Sequence, residues 1–164
     1  MLKKTAFVLP LVMLAFGSSS VFAAGEASSI VNIKATIPTQ QFHAQPVNPD
    51  FGRDETMSYN TVTKQLSTLR ATYEVKNTDG SINAYIEGGP ASLTNGTAAI
   101  PLVTTFNGVT LTGAPLEVVD DASSTPGTQA DMVITAAAPV ADGVSGLFTT
   151  NFVVVFDHNP RITQ

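Results

Sequence analysis

Residues 69–76 read Leu-Arg-Ala-Thr-Tyr-Glu-Val-Lys, and this stretch decides the fold class because apolar and polar side chains alternate along it. One parity carries the apolar side chains Leu69, Ala71, Tyr73 and Val75. A period of two is typical of a β-strand that buries one face. The pattern predicts a strand over residues 66–76.

The same kind of pattern recurs on both sides of this strand. Further short strands are predicted at Val31–Ile37, Met57–Tyr59, Ile82–Ile86, Leu102–Phe106, Val109–Leu111, Leu116–Val119, Met132–Ala136 and Leu147–Phe156. The chain has 12 Gly and 10 Pro residues, which favour turns between the strands and disfavour long helices. Asn107–Gly108 predicts a type I′ hairpin turn, because both residues tolerate a positive φ. The chain is therefore expected to be an all-β sandwich.

Several segments lack this alternation. Residues 38–54 hold three prolines and are expected to be mostly irregular, and residues 120–129 and 137–146 are expected to be loops. The strand at 147–156 is rich in strong β-formers and is expected to pair on both sides. Residues 157–164 are expected to be a polar tail beyond it.

Composition limits the function classes. The 164 residues carry a formal net charge of −5 and no cysteine, with 43% hydrophobic and 13% charged residues. The length favours one domain. The acidic balance argues against nucleic acid as a partner, and the absence of cysteine excludes disulfides and thiolate metal sites.

The N-terminus has the features of a secretory signal. Lys3 and Lys4 precede an apolar run over residues 6–16, which is too short for the roughly 20 residues of a membrane span. Small residues then favour cleavage between Ala23 and Ala24. We expect a signal peptide over 1–23 and an exported, soluble product.

The chain offers little for catalysis or metal binding. His43 and His158 lie in polar segments and are expected to be solvated loop residues rather than metal ligands. Asp120–Asp121 is expected to be solvent-exposed rather than a calcium site. Asn95 begins a glycosylation sequon but is already explained by a turn at Asn95–Gly96. We expect no catalytic, cofactor or metal site, and no enzyme activity.

The strand at Val31–Ile37 is the most informative feature, because it begins a few residues after the predicted cleavage site. Its alternate residues could pack into the chain's own sandwich or into the groove of a neighbouring molecule. The second arrangement is the β-strand addition that chaperone–pilin systems use, and it builds an open, head-to-tail filament.

Five motifs, in order along the chain, resemble alpha-class chaperone–usher pilins, the major subunits of the colonization factor antigen I and coli-surface-antigen type. They are Val31–Pro38 (VNIKATIP), Met57–Tyr59 with Leu69–Asp79, Ile100–Thr112, Met132–Ala137 and Gly143–Val155. The departures are the missing Asp before Pro38, Phe148 where a tyrosine is common, and the tail at 157–164.

The resemblance implies an immunoglobulin-like β-sandwich that lacks its last strand. It implies a donor strand over residues 24–38 and a pilin domain over 39–164. The groove-filling residues would be Val31, Ile33, Ala35 and Ile37. The implied partners are neighbouring pilin subunits, a periplasmic chaperone, an outer-membrane usher, a tip adhesin and a host cell surface. The product would be a fimbrium on the cell surface.

A second function class stays open. The domain could be a secreted sandwich that is completed by its own N-terminal strand and binds a carbohydrate or another surface ligand. The two hypotheses differ in whether residues 24–38 act within one molecule or between two.

Overall fold

The computed structural model of the chain describes residues 41–161. Within that range the chain forms eleven strands and one short helix. In chain order they are β1 (Phe42–Pro46), β2 (Tyr59–Asn60), β3 (Gln65–Leu66), β4 (Leu69–Asn77), β5 (Gly80–Ile86), β6 (Ser92–Thr94), β7 (Ala99–Phe106), β8 (Val109–Thr110), β9 (Leu116–Val119), α1 (Asp121–Ser124), β10 (Thr128–Ala136) and β11 (Val154–Pro160).

The strands form two main sheets and a small ribbon. The larger sheet has the order β1–β4–β10–β7–β6, and β8 adds to it by pairing with β7. The second sheet has the order β11–β5–β9, and β2 pairs with β3 alone. Every pairing between these strands is antiparallel. The prediction of an all-β fold is confirmed.

The core lies between the two sheets. The larger sheet contributes Val75, Leu102, Phe106, Ala130, Met132 and Ile134, and the smaller sheet contributes Ile82, Ala84, Ile86, Val118 and Val119. The turn at residues 78–79 carries the chain directly from β4 in the first sheet to β5 in the second. The strand that decided the fold class is therefore an interior strand of the larger sheet, with Ala71 and Val75 buried and Arg70 exposed.

The hairpin prediction is also confirmed. Phe106 pairs with Val109 across a two-residue loop, and Asn107 and Gly108 have φ values of +49° and +80°. Both values lie in the left-handed region that a type I′ turn requires.

The expectation for residues 38–54 is wrong over β1. Phe42–Pro46 pairs with β4 in a regular register from Phe42↔Asn77 to Pro46↔Tyr73. The five residues FHAQP lack the β-branched side chains that signal a strand, and β1 forms because an edge position on β4 is open to it. Pro46, its last residue, suits a sheet edge because no donor is needed there.

The last strand lies further along the chain than expected. β11 spans Val154–Pro160 rather than 147–156, so residues 157–160, where a polar tail is expected, supply most of the strand. Within residues 41–161 it pairs only with β5, so the expectation of pairing on both sides is not met there.

Two other connections are more ordered than expected. The segment 120–129 contains α1 and the start of β10, and β6 is a strand that the alternation did not reveal. No helix in residues 41–161 has the length and apolar character needed to cross a membrane.

Candidate functional site

An apolar cleft lies between the two sheets. It has a volume of about 740 Å³. Its lining comes mainly from β4, β7, β10 and β11 and from two connecting segments at residues 51–57 and 146–152, with one residue each from β2, β3 and β6. The apolar lining residues include Phe51, Met57, Leu69, Tyr73, Leu102, Met132, Ile134, Leu147, Phe148, Phe152, Val154 and Phe156. A concave surface with this lining can bind an extended apolar segment.

The cleft leaves one face of β11 incompletely covered. Val154 and Phe156 face inward opposite Ile86 and Ala84 of β5, yet both stay half-buried while Ile86 is only 1% exposed. The core beneath β11 is therefore less filled than the core beneath β5.

An aromatic cluster forms part of the lining. The ring of Phe156 lies 4.9 Å from that of Phe106 and 5.7 Å from that of Tyr73, measured between centroids. Tyr73 also meets Phe51 at 6.3 Å. Burial raises the pKa of the Tyr73 phenol, because the apolar surroundings disfavour its charged form. These tilted and edge-on contacts fix rigid aromatic surfaces against which another side chain can pack.

The outer edge of β11 is the second component of the site. Because β5 is the only strand paired with β11 in the described part of the chain, the backbone groups on the other edge have no strand partner there. An edge of this kind is a template for an added strand. β11 has the free edge and also lines the cleft. One added segment can therefore pair its backbone with that edge and place its side chains in the cleft.

The far end of β11 together with the next residue, residues 158–161, is tightly anchored; we call this segment the closed end. Asn77 is 1% exposed, and its Nδ2 donates to the carbonyl of Ser81 at 2.7 Å. Its Oδ1 lies 3.0 Å from Nδ1 of His158 and accepts a hydrogen bond from the backbone N–H of Asp79. Asn159 Nδ2 donates to the Ser81 hydroxyl at 2.9 Å.

Arg161 completes the closed end. Its backbone N–H donates to the carbonyl of Asp79 at 2.8 Å, and its Nε donates to Oδ2 of Asp121 at 2.6 Å. Hydrogen bonds from Arg161 and Thr125 lower the pKa of Asp121 from 3.8 to about 2. The guanidinium thereby ties the end of β11 to α1 with a two-pronged, charge-assisted contact.

Gly80 allows the closest approach at this end. Its φ is +143°, and a Cβ there would lie 2.0 Å from the carbonyl oxygen of Asn159. The β11 backbone therefore packs against a position that only glycine can occupy. By contrast, the segment beside the cleft that leads into β11, residues 146–154, which we call the open end, leaves Leu147 82% and Val153 53% exposed.

The rim of the cleft carries charge in one place. Its charged lining residues are Arg53, Asp54 and Glu55. Arg53 pairs with Asp50 at 2.9 Å, and Glu55 Oε1 accepts from the backbone N–H of Gly52 at 3.2 Å. Asp54 and Glu55 have no ion-pair partner among residues 41–161. The rim is therefore acidic.

A second, shallower depression lies on the outer face of the larger sheet. Arg70 and Thr72 both contact Asp131 there, with Nη1 of Arg70 3.0 Å from Oδ2 and Oγ1 of Thr72 donating to Oδ1 at 2.8 Å. Hydrogen bonds from Thr72 and Arg70 lower the pKa of Asp131. Because both carboxylate oxygens of Asp131 are already bonded to side chains of β4, this surface offers a ligand little unsatisfied polarity.

The two histidines are strand residues, so their expected place in loops is wrong. His43 lies on β1 opposite Lys76, and His158 lies on β11. Within residues 41–161 no three histidine, cysteine, aspartate or glutamate side chains are grouped as metal ligands would be.

The other polar residues considered in the sequence have local partners. Asp120 caps α1 by accepting from the Ser123 N–H at 2.7 Å, whereas Asp121 binds Arg161, so the two carboxylates act separately. Asn95 Oδ1 accepts from the N–H groups of Thr97 and Ala98, as expected for a turn.

The residues predicted to carry the function lie outside the described residues. These are the donor-strand residues Val31, Ile33, Ala35 and Ile37 and the cleavage-site residues Ala23 and Ala24. A groove was expected from the resemblance, but the residues that line it were not predicted, because residues 51–57 have no alternation. Its one visible signal was the shared parity of Phe148, Phe152, Val154 and Phe156, all of which line it.

Comparison with known proteins gives two findings. The family model described as "CS1 type fimbrial major subunit" matches residues 27–157. The structure of the CooA pilin subunit from enterotoxigenic Escherichia coli is similar in fold, with a TM-score of 0.50 and 14% sequence identity over 72% of this chain and 90% of that chain. No curated protein matches the sequence. The predicted fold class, an immunoglobulin-like β-sandwich, is confirmed.

Proposed function

The chain belongs to the CS1 type fimbrial major subunit family, and from this premise we propose that it polymerises by donor-strand exchange. It is a pilus subunit, and its place is in a fimbrium at the cell surface. In the proposed polymer, residues 24–38 of one subunit occupy the cleft of the next and pair with its β11.

One observation carries this proposal: a 740 Å³ apolar cleft lies directly beneath a strand whose outer edge has no strand partner in the described range. A donor strand needs both features, since its backbone requires a ladder and its alternate side chains require pockets. Here the two features coincide on β11.

The sequence of the proposed donor matches this site chemically. Val31, Ile33, Ala35 and Ile37 have one parity and are all apolar. Fully burying a valine or isoleucine side chain contributes roughly 1.5–3 kcal/mol. Three such side chains, together with the ladder, would fill space that otherwise leaves Phe152, Val154 and Phe156 half-buried.

The remaining partners follow from an exposed cleft. An apolar groove and a free strand edge promote aggregation before assembly. The subunit therefore needs another protein to occupy both until it joins the fibre. We propose that a periplasmic chaperone provides that cover and that an outer-membrane usher exchanges it for the next subunit. In this scheme residues 1–23 direct export, a tip adhesin ends the fibre, and the fibre supports adhesion to a host cell surface.

The test uses the full chain exported with its own chaperone and usher. Ile33→Asp should abolish fibres while leaving the chaperone complex intact, because a carboxylate cannot be buried unpaired in the cleft. Asn32→Asp is the matched control, since it adds the same charge at the neighbouring position of opposite parity and should leave fibres near normal. Normal fibres from Ile33→Asp would overturn the proposal.

The self-completed, ligand-binding sandwich makes the opposite prediction. If the chain lacking residues 24–38 is a stable monomer and does not bind a peptide of that sequence, the proposal of strand exchange between subunits is wrong. If the peptide rescues an unstable truncated chain, the segment can act from outside the molecule.

A further inference from the structure

The chain itself carries a cation that is complementary in charge to the acidic rim of the cleft. Lys34 is the only charged residue between positions 27 and 40. It has the parity of Asn32 and Thr36, opposite to that of the four proposed groove-filling residues. In a donor strand with this alternation, Lys34 points away from the cleft floor and toward its mouth.

The rim charges suit a cation at that mouth. Of the three charged residues that line the cleft, Arg53 is already paired with Asp50 at 2.9 Å. Asp54 and Glu55 are exposed and have no ion-pair partner within residues 41–161. The rim therefore presents uncompensated negative charge beside an otherwise apolar lining.

We propose that Lys34 of an incoming subunit pairs with the Asp54–Glu55 rim of the acceptor and selects the register in which the donor strand enters. This inference rests on the proposed donor-strand exchange. The apolar residues alone do not define a unique register, because a shift of two positions keeps the same face toward the cleft. A single cation meeting a single acidic rim distinguishes those registers.

The expected effect is mainly kinetic. Charges at an interface rim steer encounter and fix register more than they raise final affinity, and salt screens them. Reversing the donor charge should therefore slow capture about three- to tenfold at low salt. The difference should nearly vanish at 1 M salt, where the screening length is about 3 Å.

The test follows capture of fluorescent peptides of residues 27–38 by the full-length subunit purified with its chaperone. The peptides are the native sequence, Lys34→Glu, Lys34→Gln and Ile33→Asp. At low salt we expect the native peptide to be captured fastest, the Lys34→Gln peptide more slowly and the Lys34→Glu peptide most slowly. The Ile33→Asp peptide should not be captured. A subunit carrying Asp54→Lys and Glu55→Lys should reverse the preference and capture the Lys34→Glu peptide faster than the native one.

The outcomes separate this inference from the proposed function. If Lys34→Glu enters as fast as the native peptide at low salt while Ile33→Asp stays out, the rim pairing is wrong and donor-strand exchange stands. If Asp157→Lys, on β11, reverses the preference and the two rim substitutions do not, the rim is likewise the wrong partner. If Ile33→Asp enters as fast as the native peptide, donor-strand exchange itself fails.

Discussion

The two ends of β11 differ in how they are held. At the closed end, residues 158–161 contact Asn77, Gly80, Ser81 and Asp121 through a set of short hydrogen bonds and a close backbone approach. At the open end, the strand begins beside the cleft, and Val153 is half exposed. One strand is thus anchored at its C-terminal end and incompletely packed at its start.

The difference separates stability from function. The closed end is satisfied by residues of the same chain, so it stabilises β11 before any partner binds. The open end lacks packing that another segment can provide, so its interactions are available for assembly. Substitutions at the closed end should therefore change the unfolding free energy, whereas substitutions at the open end should chiefly change fibre formation.

The largest expected effect on stability is that of Gly80→Ala. A Cβ at this position would lie 2.0 Å from the Asn159 carbonyl oxygen and 2.8 Å from the Arg161 nitrogen, so the end of β11 must move. We expect the unfolding free energy of the purified full chain to fall by about 3 kcal/mol or more in urea titrations.

Gly88→Ala is the control for Gly80→Ala. Gly88 has a φ of +79° and nothing within 4 Å of its added Cβ, so only backbone strain of about 1–2 kcal/mol applies. If the two substitutions lowered the unfolding free energy equally, the closed end would not be close-packed around Gly80.

Asn77→Ala should have the next largest effect. It removes a buried amide that bonds to the Ser81 carbonyl and to His158, leaving those groups without this partner. We expect a loss of about 1–3 kcal/mol. Val153→Ala, at the open end, should stay within about 0.5 kcal/mol because its side chain is 53% exposed. A larger loss from Val153→Ala than from Asn77→Ala would reverse the assignment of the two ends.

Among the closed-end substitutions the smallest expected effect is that of Arg161→Ala, and it depends on pH. Arg161 helps to hold the pKa of Asp121 near 2 in the folded chain, below its ordinary value of 3.8. Folding therefore favours the ionised carboxylate, and the stabilisation is present above about pH 4 and lost as the pH falls toward 2.

Thermal unfolding at several pH values checks this dependence. The melting temperature of Arg161→Ala should lie below that of the native chain at pH 5, and the gap should narrow between pH 4 and pH 2. The melting temperature of Arg161→Lys should lie between those of Arg161→Ala and the native chain, because lysine keeps the charge and loses the two-pronged geometry. A gap that is constant with pH would contradict the role given to Asp121.

Side-chain alternation predicted the interior of the fold well. β4, β5 and the β7–β8 hairpin lie close to where the sequence places them, because each buries one face and ends at a recognisable turn. β1 and the end of β11 were missed for a common reason. Their sequences, FHAQP and DHNP, have weak strand propensity, and main-chain pairing with β4 and β5 determines their conformation instead.

The candidate site was less predictable than the fold. The donor segment is visible in the sequence because its alternation is local. The cleft is assembled from strands of both sheets and from residues 51–57 and 146–152, which share no local pattern. Only tertiary packing brings Phe51, Tyr73 and Phe156 together.

The pairing of β1 with β4 has a mechanical consequence for a fibre built as proposed. Phe42 follows Pro38 by only four positions, so tension carried by a donor segment reaches its own domain at β1. β1 is antiparallel to β4 over five residue pairs. A force along β1 loads those hydrogen bonds together, in shear, rather than peeling them apart one at a time. The short edge strand at the start of the described chain would then be the joint through which each subunit resists being pulled.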